Sequence, residues 1–391
     1  MQFCYVSGNE RYSKTSGYCT TDEIFDFTIA GMKPSQETVF SARPYEQRRC
    51  RMNKCHATGR AEVLDTASYY AVNRTREKIR THGAVFSLND GVETRINGIH
   101  TRLVIWPGVG PTESSLHVMI VQPGDESPLY RLGMSDEAMV CLSGRGEVFV
   151  RGEWAEIEAG DVAYFPAGVA HGVRCAKSAG QDFILANAIS PPNLDIYAGT
   201  GFISPESRQF NFDAIDLAVR NAQAAGSKLG PLPSNETHLN ESHPHLRAWN
   251  LDADDVRRNG GLFNIYKGAK SPVVVPLRLI LWPGHGGSAL VGYNCVVHQP
   301  KQLFDIHIHP VSPERIIAVK GEGLFYIEDA WIEARENDVL VVPASIPHGT
   351  AGSEKTDGTF VCAGFATPPQ LDLILASGFY EDGAFTRPEF G

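Results

Sequence analysis

None of the eight cysteines of this 391-residue chain stands in a CxxC pair, and no apolar run approaches the roughly 20 residues of a membrane span. The first absence, with no secretory pattern in "MQFCYVSGNERYSK", argues against a disulfide framework and makes free thiols the expectation. The second excludes a membrane helix. Positive charge is short too: 35 Lys and Arg against 45 Asp and Glu leave a net charge of -10, and the one basic cluster, Arg48, Arg49, Arg51 and Lys54, is brief. Nucleic acid and membranes are therefore not expected partners. The chain reads as soluble and cytoplasmic, where the acceptor triplets at Asn235 and Asn240 stay unmodified. Cys50, Cys55 and His56, with Cys4 and Cys19, lack tight ligand spacing and are read as thiols rather than a zinc site. With 42% hydrophobic and 20% charged residues, the chain is ordinary globular material long enough for two domains.

What is present is an internal repeat. "GAVFSL" at 83 resembles "GGLFNI" at 260, an offset of 177; "RLVIWPG" at 102 matches "RLILWPG" at 278, an offset of 176. From "VQP" at 121 and "HQP" at 298 onward 177 holds, through Gly144 and Gly321, Trp154 and Trp331, Pro166 and Pro343, His171 and His348, to "SPPNLD" at 190 and "TPPQLD" at 367. The repeat divides the chain into an extension at 1–60, a first domain at 61–226, a polar linker at 227–246 and a second domain at 247–391. Each copy shows short β-branched and aromatic runs of period two, punctuated every 6 to 10 residues by Gly, Asp, Asn or Pro, which predicts an all-β sandwich or barrel. Helical spacing is confined to "TREKIRTHG", ending at Gly83, and "FDAIDLAVRNAQAAG", ending at Gly226. His238, His243 and His245 fall in the linker and are read as a solvated loop.

The second copy carries the chemistry. In "FDIHIHPVSPERIIAVKGEG", side chains two apart share a strand face, so Asp305, His307 and His309 are predicted to project together, with Ile306 and Ile308 opposite. Glu314 follows a turn-prone "PVSP", and His348 arrives from a later strand. Three imidazoles and a carboxylate suit Fe(II), Mn(II), Ni(II) or Zn(II) and leave coordination positions open. Arg278 and His298 are candidates to bind a carboxylate or carbonyl, Tyr326 to act as acid or hydrogen-bond donor. His298 ranks first, because its counterpart is Val121; Arg278 has Arg102 opposite it in the other copy, which points to structure. Asp305, replaced by Pro128, is as well explained as an exposed strand-end carboxylate.

"HIHPVSPERIIAVKG" matches the first cupin motif, HxH, four residues, Glu, six residues, Gly, and "NDVLVVPASIPHG" resembles the second, with Pro343 and His348 in place. Asn337 and Ser345 stand where that family usually has glycine, and Gly352 where it often has asparagine; these departures concern turns. The chain thus resembles a bicupin: two jelly-roll, double-stranded β-helix barrels with a few peripheral helices. In the first copy the second motif is complete, with Gly160, Pro166, Gly168 and His171, and Glu137 and Gly144 remain, but Tyr130 replaces His307 and Leu132 replaces His309. That copy is expected to hold no metal and to serve structure or an interface.

The resemblance implies one divalent metal ion per chain, Fe(II) favoured and Mn(II), Zn(II) or Ni(II) as alternatives, on His307, His309, Glu314 and His348. It implies a metal-dependent enzyme, first a non-heme Fe(II) dioxygenase of a small oxygen-chelating substrate such as a hydroxylated aromatic acid or a dicarbonyl. The alternatives are a non-redox Mn or Zn hydrolase, isomerase or decarboxylase, and a non-catalytic binding or storage protein. Gentisate-type dioxygenases, oxalate decarboxylase-like and ureidoglycine aminohydrolase-like bicupins are similar only at this general level. A small-molecule substrate is the expected partner, and since bicupins often assemble, a homo-oligomer is left open.

Overall fold

The computed structural model describes residues 66–204, 206–234, 252–271 and 277–370, together with the strands Phe379–Glu381 and Ala384–Thr386. The extension with its cysteines and His56, the acceptor triplets, and His238, His243 and His245 lie outside the described residues.

The two helical patterns form Arg76–His82 and Phe212–Ala225. Thr75 and Asn211 cap them by accepting from the amides of Lys78 and Ala214, and Gly83 and Gly226 end them at positive φ. No described helix is long and apolar enough to cross a membrane.

The rest of the described chain is mostly antiparallel strand, arranged as two barrels of the cupin type. In the first, a seven-stranded sheet faces a three-stranded one; in the second, a nine-stranded sheet faces a four-stranded one. The central strands of the large sheets are buried on both faces, which is why "SLHVMIV" and "GYNCVVH" read as nearly unbroken apolar runs. Within Ser115–Val121, Met119 and Val121 point into the first barrel, while Leu116, Val118 and Ile120 join a cluster shared with Cys295, Val297, Ile317 and Val339 of the second. The two large sheets therefore pack on each other, and the pseudo-two-fold shows in a 2.6 Å hydrogen bond between the equivalent hydroxyls of Ser190 and Thr367.

The barrels also exchange their first strands. Ala84–Ser87, of the first repeat, pairs antiparallel with Asp338–Val342 of the second, and Gly261–Asn264, of the second repeat, pairs with Asp161–Phe165 of the first. Gly83 and Gly260 make the crossings, at φ 82° and 78°. A Cβ at either would come within 2.3 Å of the Val341 carbonyl or 2.4 Å of the Tyr164 carbonyl, so no other residue fits.

The turns that lack the family's glycines keep its backbone. Asn337 (φ 74°) and Ser345 (φ 64°) adopt the same left-handed region as their counterparts Gly160 (φ 94°) and Gly168 (φ 82°).

Candidate metal centre

The site is assembled from both sheets of the second barrel. His307 ends the strand Leu303–His307, directly opposite His348, which opens His348–Gly352 in the four-stranded sheet. Glu314 opens Glu314–Lys320 in the nine-stranded sheet. His309 lies just past its strand, where its carbonyl accepts from the Ser345 amide at 2.8 Å. One donor atom from each of His307, His309, Glu314 and His348 falls within 4.8 Å of all the others, the only such group among the described residues.

Hydrogen bonds orient these side chains for an ion. His307 and His348 direct Nδ1 at the carbonyls of Asp305 (2.7 Å) and Ile346 (2.8 Å), which fixes the tautomer that presents Nε2 inward. Glu314 Oε2 lies 3.1 Å from His348 Nε2 and 3.8 Å from His309 Nε2. Burial alone would push the Glu314 carboxyl up; the His348 hydrogen bond and the three imidazoles outweigh it and hold it at about 2. Burial, then His348 and His309, push His307 down to about 3, so at neutral pH it is the neutral imidazole that a metal requires. Three imidazoles and one carboxylate, converging and largely buried, fit a borderline divalent ion.

A cavity of about 20 Å³ adjoins His307, His309 and Glu314, walled by Leu277, Val296, Phe304 and Ile316, with Asn294, Gly349, Thr350, Cys362 and Gln370 completing it. That is room for roughly one water-sized group. Asn294 Nδ2 reaches Glu314 Oε1 at 3.3 Å and Gln370 Oε1 at 2.8 Å.

The other predicted residues stand elsewhere. Strict alternation fails between Phe304 and His307, where a β-bulge sets two residues, Asp305 and Ile306, against the one residue Gly349 of the partner strand. Phe304 consequently faces inward, its ring 4.9 Å from that of His307, and Asp305 is exposed, contributing only its carbonyl. Arg278 is paired with Cys295, on the sheet face opposite the inward Leu277, Asn294 and Val296. Tyr326 stacks edge-on against Trp331 and donates to Asp329 at 3.2 Å, away from the cavity. His298 is fully buried one layer behind the wall: its Nε2 meets the Thr350 hydroxyl at 2.8 Å, and burial pushes it down to about 4. It acts on the cavity only through Thr350. Sequence reasoning missed Asn294, Phe304, Thr350 and Gln370. The repeat carried a signal for two of them, since Asn294 and Gln370 replace His117 and Asn193.

The first barrel keeps the backbone of this site without its ligands. Tyr130 bridges His171 as His307 does His348, and the Leu132 carbonyl accepts from Gly168 as that of His309 does from Ser345. Glu137 accepts from the Tyr130 hydroxyl at 3.2 Å and from Asn187 Nδ2, and its other oxygen lies against His171 Nε2. Burial, then Glu137, raise the Tyr130 phenol well above its usual range, so it remains a donor. Two neutral donors, Tyr130 and Asn187, thus hold this buried carboxylate where the second barrel has imidazoles.

The Cupin domain family matches residues 117–182 and 295–364. No curated protein sequence matches the chain. Among solved structures, it is similar to Ylba from E. coli (13% identity, 75% of this chain and 96% of that one, TM-score 0.48). It is also similar to an oxalate decarboxylase formate complex from Lactobacillus farciminis (18% identity, 73% and 86%, TM-score 0.46) and to procruciferin, an 11S globulin from Brassica napus (10% identity, 74% and 85%, TM-score 0.49). A cupin match on each repeat, with an antiparallel barrel built from each copy, shows that the chain carries two cupin domains in tandem.

Proposed function

We propose that the protein is a cytoplasmic metal-dependent enzyme whose second cupin holds one divalent ion, iron favoured, and oxidises a small oxygen-chelating substrate with dioxygen. The observation that carries this reading is the convergence of three imidazoles and one carboxylate within 4.8 Å beside a cavity. When bound, the ion supplies Lewis acidity toward an oxygen donor and, as iron, an electron source for dioxygen.

The chain's own residues do the rest. Asp305 and Ile346 carbonyls hold two imidazoles in the ligating tautomer, and Asn294 steadies the free oxygen of Glu314. Leu277, Val296, Phe304 and Ile316 exclude bulk water and strengthen every polar contact inside. Apart from the four ligands, the described wall offers no carboxylate, imidazole or amine; its one titratable group is the Cys362 thiol, which burial raises well above its usual range. A wall without a general acid or base favours chemistry centred on the ion over hydrolysis.

Elemental analysis of protein purified without added metal, with oxygen uptake measured on small 1,3-dicarbonyls, tests this. Iron with oxygen consumption is the expected result. Manganese or zinc with oxygen-independent turnover selects the non-redox alternative, a bound metal with a retained ligand and no turnover selects a binding protein, and full metal occupancy after His307→Ala overturns the ligand set itself.

A further inference from the structure

The amide pair behind Glu314 leaves one donor unmet. A carboxylate oxygen can only accept, so Asn294 must turn its Nδ2 toward Glu314 Oε1. The same Nδ2 contacts Gln370 Oε1 at 2.8 Å, which fixes the orientation of the second amide: its carbonyl faces Asn294 and its NH2 faces away. Gln370 is 6% exposed and lines the cavity, and its Nε2 has no hydrogen-bond partner among the described residues. A buried amide donor without an acceptor is rare in folded proteins and calls for one that the described residues do not supply. The surrounding wall is mainly apolar, and the one hydroxyl on it, Thr350, is engaged with His298.

The repeat provides an internal control. Asn193 occupies the position of Gln370 in the first copy and turns its Oδ1 to the Asp195 amide at 2.9 Å, while His117, in place of Asn294, contacts the Tyr197 hydroxyl at 3.0 Å. The extended amide network exists only in the copy that has the ligand set.

We propose that Gln370 is a substrate-binding residue whose Nε2 donates to one oxygen of a small carboxylate held in the cavity beside the four ligands. This deepens the metal-centre reading and rests on it. A divalent cation with three neutral imidazoles and one carboxylate carries a residual charge of about +1, which a monoanion neutralises. A cavity of about 20 Å³ limits that anion to the smallest carboxylates unless the wall opens. The donor sets orientation: it engages one carboxylate oxygen and leaves the other free to face the ligands.

The test loads the full-length protein with Co(II) and titrates it with formate, the smallest carboxylate, by calorimetry, with cobalt affinity measured separately by chelator competition. Gln370→Met removes the donor at nearly constant length; Gln370→Glu keeps an acceptor for Asn294 and puts negative charge where the donor stood. Formate affinity should fall by roughly 10- to 100-fold in Gln370→Met, the range for a hydrogen bond to a charged group. It should be lost in Gln370→Glu, while cobalt affinity of the Met variant changes only a few-fold. Cobalt-loaded wild type that takes no formate, or a Gln370→Met protein that binds it as tightly as wild type, overturns the proposal alone. A wild type that binds no cobalt overturns the metal-centre reading and this proposal with it.

Discussion

Gly364 shows how tightly the ligand set is drawn in. It lies opposite Asn294 on the neighbouring strand, and a Cβ added there would come within 2.5 Å of both Asn294 Oδ1 and Glu314 Oε1. Both of those side chains are already committed, one to the other and to the site. Gly364→Ala should therefore leave the fold intact yet weaken metal binding by about 10- to 100-fold, the usual effect of displacing a group that orients a ligand. Chelator competition measures it; unchanged affinity with an unchanged melting curve would mean the carboxylate can move aside without loss. Asn187, the equivalent residue in the first barrel, fills this space and donates to Glu137 instead. The four residues that converge were legible in the sequence because HxH, the following Glu and the later His are signals a single stretch can carry. Asn294, Thr350 and Gln370 were not, because each lies on a strand or turn remote in sequence and becomes part of the site only when the sheets close. His298 misled for the opposite reason: its absence from the first copy marked it as particular to the second, but its distance from the cavity is a property of layers.

At the scale of elements, the period of two was a sound guide to the strands and failed where a strand departs from regular pairing. Extrapolated through the bulge before His307, it put Asp305 inside and Phe304 out, and the structure reverses both. The turn at Asn337 has a consequence measurable in stability. Asp338 begins the strand that receives Ser87 from the other repeat, and burial pushes its carboxyl up to about 6, although the Arg335 amide donates to it at 3.0 Å. A carboxyl whose pKa is higher folded than unfolded favours the fold in its neutral form. That contribution is fully present below about pH 4 and is lost as the pH rises through about 6. Asp338→Asn keeps an oxygen for the Arg335 amide and removes the charge, so it should stabilise the protein by about 1–2 kcal/mol near neutral pH and have no effect near pH 4. Thermal melts at the two pH values decide it, and an equal shift at both would show that the carboxylate is not the cause.

At the scale of the whole molecule, the repeat was visible in the sequence, but the exchange of first strands was not. The two copies look alike at 83 and 260, and a similarity between repeats says nothing about which barrel each strand joins. The exchange makes the second domain incomplete by itself. A fragment of residues 247–391 retains all four ligands yet lacks Ala84–Ser87, exposing the edge of Asp338–Val342 and the apolar face around Val297, Ile317 and Val339 that packs on the first barrel. Gel filtration and circular dichroism of that fragment should show aggregation or a loss of cooperative melting, with metal bound below one equivalent. A monomeric fragment with a sharp melt and a full equivalent of metal would show that the borrowed strand is dispensable.

The same exchange sets an order on synthesis. Domains of a growing chain ordinarily fold as they leave the ribosome, the N-terminal one first. Here the first barrel lacks its edge strand until residue 264 of 391 has emerged, and the second is closed by residues translated long before any of its own. Neither barrel has its full set of strands without the other repeat. The candidate ligand set is completed last, at His348, so a nascent chain that stops early carries an open strand edge and an incomplete cluster.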